Sequence, residues 1–150
     1  MTAALPILTF HIIDDGSSPL CFPANQFERA MARLAENGYR TLRLSDAAEM
    51  LRFNRPMPPR SIVITFDDGD LSAYERAWPV LRQYNMTATI FVLPAQTHFM
   101  QRPLVSWPQI QEMNRAGIDI GAHTLTHPDL KTLSDDRIES EVRCSKVAIE

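Results

Sequence analysis

Ser61-Ile62-Val63-Ile64-Thr65-Phe66-Asp67-Asp68-Gly69-Asp70 is an apolar, β-branched run that passes directly into carboxylates. Such a run predicts a strand, and the Asp and Gly residues behind it predict a turn. Outward from it, four more strands are predicted at residues 7–11, 41–44, 87–93 and 118–122. Helical periodicity fills the intervals between them. The first helix is expected with Asn25 as N-cap, Phe27, Met31 and Leu34 on its apolar face, and Gly38 past its end. A short second helix is expected to be capped by Ser45. Pro79 suits a first turn and not a helix interior, so two short helical pieces should meet near Trp78. Ser106 before Trp107-Pro108 signals another helix, stopped at Gly117, and Ser134 before Asp135-Asp136 signals the last. Strands alternating with helices favour an α/β domain with a mainly parallel sheet, open or closed into a barrel.

A chain of 150 residues is about one domain, able to bury roughly two-thirds of its unfolded surface, and residues 1–150 are read as a single domain. At 45% hydrophobic and 22% charged residues, the composition is that of a folded globular protein and excludes a disordered chain. A net charge of −3 without any basic run argues against a nucleic-acid partner. Cys21 and Cys144 have no cysteine at ligand spacing, so they are read as ordinary half-buried thiols. Residues 1–8 show no charged lead or apolar stretch of leader length, and no transmembrane run occurs. A cytoplasmic location is the default expectation, secreted or periplasmic if a leader has been removed.

In an α/β sheet the chemistry gathers at the carboxyl ends of the strands. Three such ends carry polar residues. Asp67-Asp68-Gly69 reads either as a plain turn or as two carboxylates with separate tasks, one ligating a metal and one holding a proton-accepting position. His123-Thr124-Leu125-Thr126-His127 reads either as a loop with two exposed histidines or as a pair converging on one cation. Thr124 stands where a zincin would carry glutamate, so a general base would come from elsewhere. Two His and one carboxylate leave coordination positions open, the pattern of a catalytic site, and hydrolysis of an amide or ester follows from it. His11, trailed by Asp14 and Asp15, ends the first strand and is either a half-buried residue or a further participant. His98 is read as an ordinary loop residue.

Thr65-Phe66-Asp67-Asp68-Gly69 together with His123-Thr124-Leu125-Thr126-His127 resembles the first two motifs of the polysaccharide deacetylases, the NodB-homology domains of carbohydrate esterase family 4. Pro58-Pro59-Arg60, Ala88-Thr89-Ile90-Phe91-Val92, Trp107 and Ala116-Gly117-Ile118 extend the resemblance over nearly the whole chain. It implies a distorted (β/α) barrel. It also implies Asp67 as catalytic base, and Asp68, His123 and His127 as ligands of a divalent cation, usually Zn2+. The activity implied is hydrolytic removal of N-acetyl groups from the amino sugars of a glycan, a water activated at the ion attacking the acetamide carbonyl. In relatives resembling the circularly permuted poly-N-acetylglucosamine deacetylases, the histidine acid lies on the first strand. Ile7-Leu8-Thr9-Phe10-His11 looks like that segment, which implies His11 as the acid.

Two departures accompany the resemblance. The family's base-orienting Arg-x-Pro-Tyr stretch and its fourth motif are not found, and Asp70 stands where many relatives carry an aromatic residue. A complete barrel of this kind commonly takes ~200 residues or more. The expectation is therefore an incomplete barrel of about five βα units, open at one edge, with its C-terminal part missing. The alternatives to a polysaccharide deacetylase are a small-molecule amidohydrolase of the same fold and a non-catalytic carbohydrate-binding domain that keeps the metal site.

Overall fold

The computed structural model describes residues 5–150. In chain order the elements are β1 (Ile7–Phe10), β2 (Ile12–Ile13), β3 (Cys21–Phe22), α1 (Ala24–Glu36), β4 (Arg40–Leu42), α2 (Leu44–Arg52) and β5 (Ser61–Phe66). A π turn (Ala73–Ala77) then runs into α3 (Trp78–Gln83). They are followed by β6 (Thr89–Val92), β7 (His98–Phe99), β8 (Arg102–Pro103), α4 (Trp107–Arg115), β9 (Asp119–Ala122), a 3-10 turn (Leu130–Thr132) and α5 (Asp135–Ile149). The reading of residues 1–8 as leaderless falls partly on residues 1–4, outside the described residues. No helix among the described residues is long and apolar enough to cross a membrane.

β5 is buried at every position, as an apolar strand covered on both faces must be. Its neighbours are all parallel to it. β1 pairs along one edge from Ile7↔Val63 to Phe10↔Phe66. The other edge is shared, β4 lying against Ser61–Val63 and β6 against Thr65–Phe66. β9 then pairs with β6 from Thr89↔Asp119 to Val92↔Ala122. The path β1-β5-β6-β9 does not close among the described residues, so the sheet is open as expected.

Phe27 and Met31 of α1, Leu81 of α3, and Ile110 and Met113 of α4 share one buried core with Ile62, Ile64 and Phe66 of β5. Each large apolar side chain buried in this way stabilises the fold by about 1.5–3 kcal/mol. Phe10, Phe22, Phe27 and Phe66 form one aromatic wedge, with centroids 5.2–5.9 Å apart. Because Phe10 and Phe66 immediately precede His11 and Asp67, this wedge anchors the strand ends on which the chemistry stands.

All five predicted strands occur, and the last two helices start after Ser106 and Ser134 as expected, Gln109 accepting from the Ser106 amide at 2.8 Å. The two pieces meeting at Trp78 are also present. Two caps differ. α1 begins at Ala24, so Asn25 lies inside its first turn and the Pro23 carbonyl takes the amides of Gln26 and Phe27. α2 begins at Leu44, one residue before Ser45. Its first amides are taken by remote side chains, Leu44 N–H donating to Thr89 Oγ1 (3.0 Å) and Ser45 N–H to Asp119 Oδ2 (3.3 Å). Cys144 is exposed rather than half-buried, while Cys21 is half-buried.

Candidate active site and metal centre

The β1–β5 register extends one residue past both strands, the Asp67 amide donating to the Phe10 carbonyl at 2.9 Å. That bond brings His11 beside Asp67, a residue far along the sequence. Their side chains face each other with His11 Nε2 3.8 Å from Asp67 Oδ2, and both remain partly exposed, at 31% and 22%.

The chain then turns sharply, Asp68 (φ 68°) and Gly69 (φ 72°) both being left-handed. Asp tolerates this conformation better than most residues, and glycine is needed next to it. A Cβ on Gly69 would also sit 3.3 Å from Val92 Cγ1. The turn sends Asp68 away from Asp67 and toward the loop after β9. There His123 Nε2 lies 3.5 Å and His127 Nε2 3.3 Å from the same oxygen, Asp68 Oδ1. Gly121 leaves room for the Phe91 ring, which stands 6.3 Å from the His123 ring, and Phe99 packs 4.6 Å from the ring of His127.

Asp68 is 7% exposed, yet its Oδ1 has no hydrogen-bond partner. An unpaired buried carboxylate oxygen is costly unless a cation sits against it. The ligand atoms of Asp68, His123 and His127 all lie within 4.8 Å of one another. Ligands at ~2.0–2.1 Å around a tetrahedral ion stand ~3.3 Å apart, close to the Asp68–His separations found here. A borderline ion such as Zn2+ therefore fits this donor set of two imidazoles and one carboxylate. His98 is not among these ligands and is exposed.

Two supports of the site have no local signature in the sequence. The loop 123–127 is gripped by Glu141 of α5, whose Oε2 accepts from the amides of Leu125 and Thr126 (both 2.9 Å) and whose Oε1 accepts from the Thr126 hydroxyl (2.8 Å). Burial opposes ionisation of Glu141, but these bonds outweigh it and hold the carboxyl below its ordinary range. On the other side of the turn stands Asp70, directly after the first motif. It is buried on Arg102, whose Nε donates to Oδ2 at 2.6 Å, and Ser72 N–H donates to Oδ1 at 2.9 Å. Arg102 also reaches Asp14 (3.3 Å), which Arg76 pairs at 2.9 Å. No arginine pairs with Asp67 among the described residues.

Arg102 thus ties the β7–β8 hairpin to the first-motif turn, and its loss is expected to destabilise the fold. Burial raises the Asp70 pKa, but the Arg102 and Ser72 hydrogen bonds outweigh burial and bring it below the ordinary 3.8. The pair therefore contributes fully above that value, and its contribution fades as pH falls through the depressed folded value. Arg102→Ala should cost about 2 kcal/mol at pH 7, less than the ~3–5 for a fully buried pair because Arg102 is 34% exposed. The gap between variant and parent should narrow as pH falls below the ordinary 3.8 and Asp70 becomes neutral. Urea melts at neutral and acid pH check this, and a gap that widens in acid would reject it.

A sequence profile of the polysaccharide deacetylases matches residues 54–150. The chain belongs to the polysaccharide deacetylase family. It is 38% identical over 144 residues to the protein YxkH of Bacillus subtilis (strain 168), covering 96% of this chain and 50% of that one. A poly-beta-1,6-N-acetyl-D-glucosamine N-deacetylase of Staphylococcus aureus (strain N315) is 29% identical over 131 residues, or 83% of this chain and 43% of the relative. Among solved structures, the Streptococcus pyogenes deacetylase PplD in complex with acetate superposes with a TM-score of 0.90 at 26% identity, covering 99% of this chain and 69% of that one. The chain spans about half the length of these two sequence relatives. Family membership agrees with the resemblance carried by the two motifs, and the open (β/α)-type sheet with the incomplete barrel expected from the chain length.

Proposed function

We propose that the chain carries the catalytic centre of a divalent-metal-dependent hydrolase that removes N-acetyl groups from the amino sugars of a polysaccharide. One observation carries this reading: Asp68 Oδ1, buried and without a hydrogen-bond partner, at the focus of His123 and His127. The relatives named as poly-N-acetylglucosamine deacetylases support the substrate class. Zn2+ suits the ligands best. A cation held there supplies Lewis-acid polarisation of the amide oxygen and acidifies water.

The chain's own residues do the rest. Asp67, separate from the ligand set, takes the proton of the attacking water as its oxygen bonds to the acetamide carbon. His11 faces Asp67 across 3.8 Å and gives a proton to the amine nitrogen as the C–N bond breaks, so acetate and a free amino sugar leave. Acetate release from N-acetylglucosamine oligomers should appear with Zn2+, vanish on chelation and return on re-addition. A folded, zinc-loaded chain that releases acetate only from small N-acetyl amides would shift the reading to an amidohydrolase, and one that binds oligomers without releasing acetate would make it a binding domain. His11→Ala should lower kcat by roughly 10²-fold or more with zinc content unchanged, and undiminished turnover would remove His11 from the mechanism.

A further inference from the structure

The loop 123–127 is a poor scaffold by its own conformation. Thr124 (φ 66°) and His127 (φ 60°) are both non-glycine residues held left-handed, one of them β-branched. Inside the loop, the His127 amide donates to Thr124 Oγ1 at 3.0 Å. From outside, the Gln96 side chain reaches the Thr126 carbonyl at 3.2 Å, and the Ala95 amide reaches the Leu125 carbonyl at 3.4 Å. The strongest grip is that of Glu141. It is 8% exposed on a different element, α5, and accepts three hydrogen bonds from Leu125 and Thr126, the residues immediately before His127.

We infer that Glu141 is a positioning residue of the metal centre, fixing the His123–His127 loop so that both Nε2 atoms face Asp68. This rests on the reading of Asp68, His123 and His127 as metal ligands. The hydrogen bonds of Glu141 go to Leu125 and Thr126 and to none of the three. It acts through the backbone, as outer-shell carboxylates do when they orient ligands and set affinity. The length of the side chain matters. Glutamine can reproduce all three bonds, its oxygen accepting from both amides and its NH2 donating to Thr126 Oγ1. Aspartate keeps the charge but is one methylene too short to reach. Position and charge are thereby separable.

The test is Zn2+ affinity of the whole chain, measured by competition with a chromophoric chelator, alongside circular dichroism and amide exchange at Leu125 and Thr126. Glu141→Ala and Glu141→Asp should each bind Zn2+ about 10–100-fold more weakly and exchange both amides faster. Glu141→Gln should stay within about 3-fold of the parent, since it keeps the hydrogen bonds through which the loop is held. If Glu141→Ala does not fold, Glu141→Asp and Glu141→Gln still decide. Folded Ala or Asp variants that bind Zn2+ like the parent, even with a lowered Tm, overturn the inference. Glu141→Gln binding as weakly as Asp overturns it as well, by making charge the cause. A parent chain that binds no Zn2+ overturns the ligand assignment itself, and the inference with it.

Discussion

Asp68→Ala is expected to strip the chain of zinc. A structural zinc site of four ligands is worth ~10–16 kcal/mol, or ~3 kcal/mol per ligand, so losing this one should weaken binding by roughly 10²-fold or more. His123→Ala should do the same, because both histidines converge on the single oxygen Asp68 Oδ1 at 3.5 and 3.3 Å. The metal-free fold should change little. Removing a buried acceptor without a partner relieves a desolvation penalty, which offsets the strain of alanine at φ 68°. Metal analysis of the two purified variants checks the expectation, and stoichiometric zinc in either would show that the ligand set is wrong.

Asp67→Asn should give the complementary result: zinc retained, turnover lost by about 10²–10⁴-fold. Asparagine fills the same space and can still accept hydrogen bonds, but cannot take up a proton. Asp67 is held by the Phe10 carbonyl through its own amide, not through its carboxylate, so the substitution leaves the β1–β5 edge intact. Its carboxylate pairs with His11 and not with the zinc ligands. Steady-state acetate release with parallel zinc analysis distinguishes the roles. Zinc lost together with activity would make Asp67 a ligand; activity preserved would remove it as the base.

The helix starts show where local reading holds and where it fails. Ser106 and Ser134 precede helices whose first turns are made by adjacent residues, so their signatures sufficed. Asn25 and Ser45 look just as suitable, but both helices start earlier, and the Pro23 and Arg43 carbonyls take the amides of Phe27 and Ala47 that those side chains would have capped. Asp70 shows the same limit directly after the first motif. Its identity is plain in the sequence, but only the approach of the β7–β8 hairpin turns it onto Arg102, 32 positions away.

The alternation of strands and helices, and the position of Asp67, Asp68, His11, His123 and His127 at strand ends, are legible in the chain alone. Apolar runs, turn residues and motif spacing are properties of neighbouring residues, and they act whatever the rest of the chain does. Which of those residues meet depends on how the elements pack. The β1–β5 register sets His11 beside Asp67, the left-handed turn at Asp68 leaves Oδ1 facing two imidazoles, and the docking of α5 brings Glu141 beneath the histidine loop. Each of these contacts joins segments far apart in the chain, and its geometry is set by sheet register and helix packing, which no local periodicity encodes.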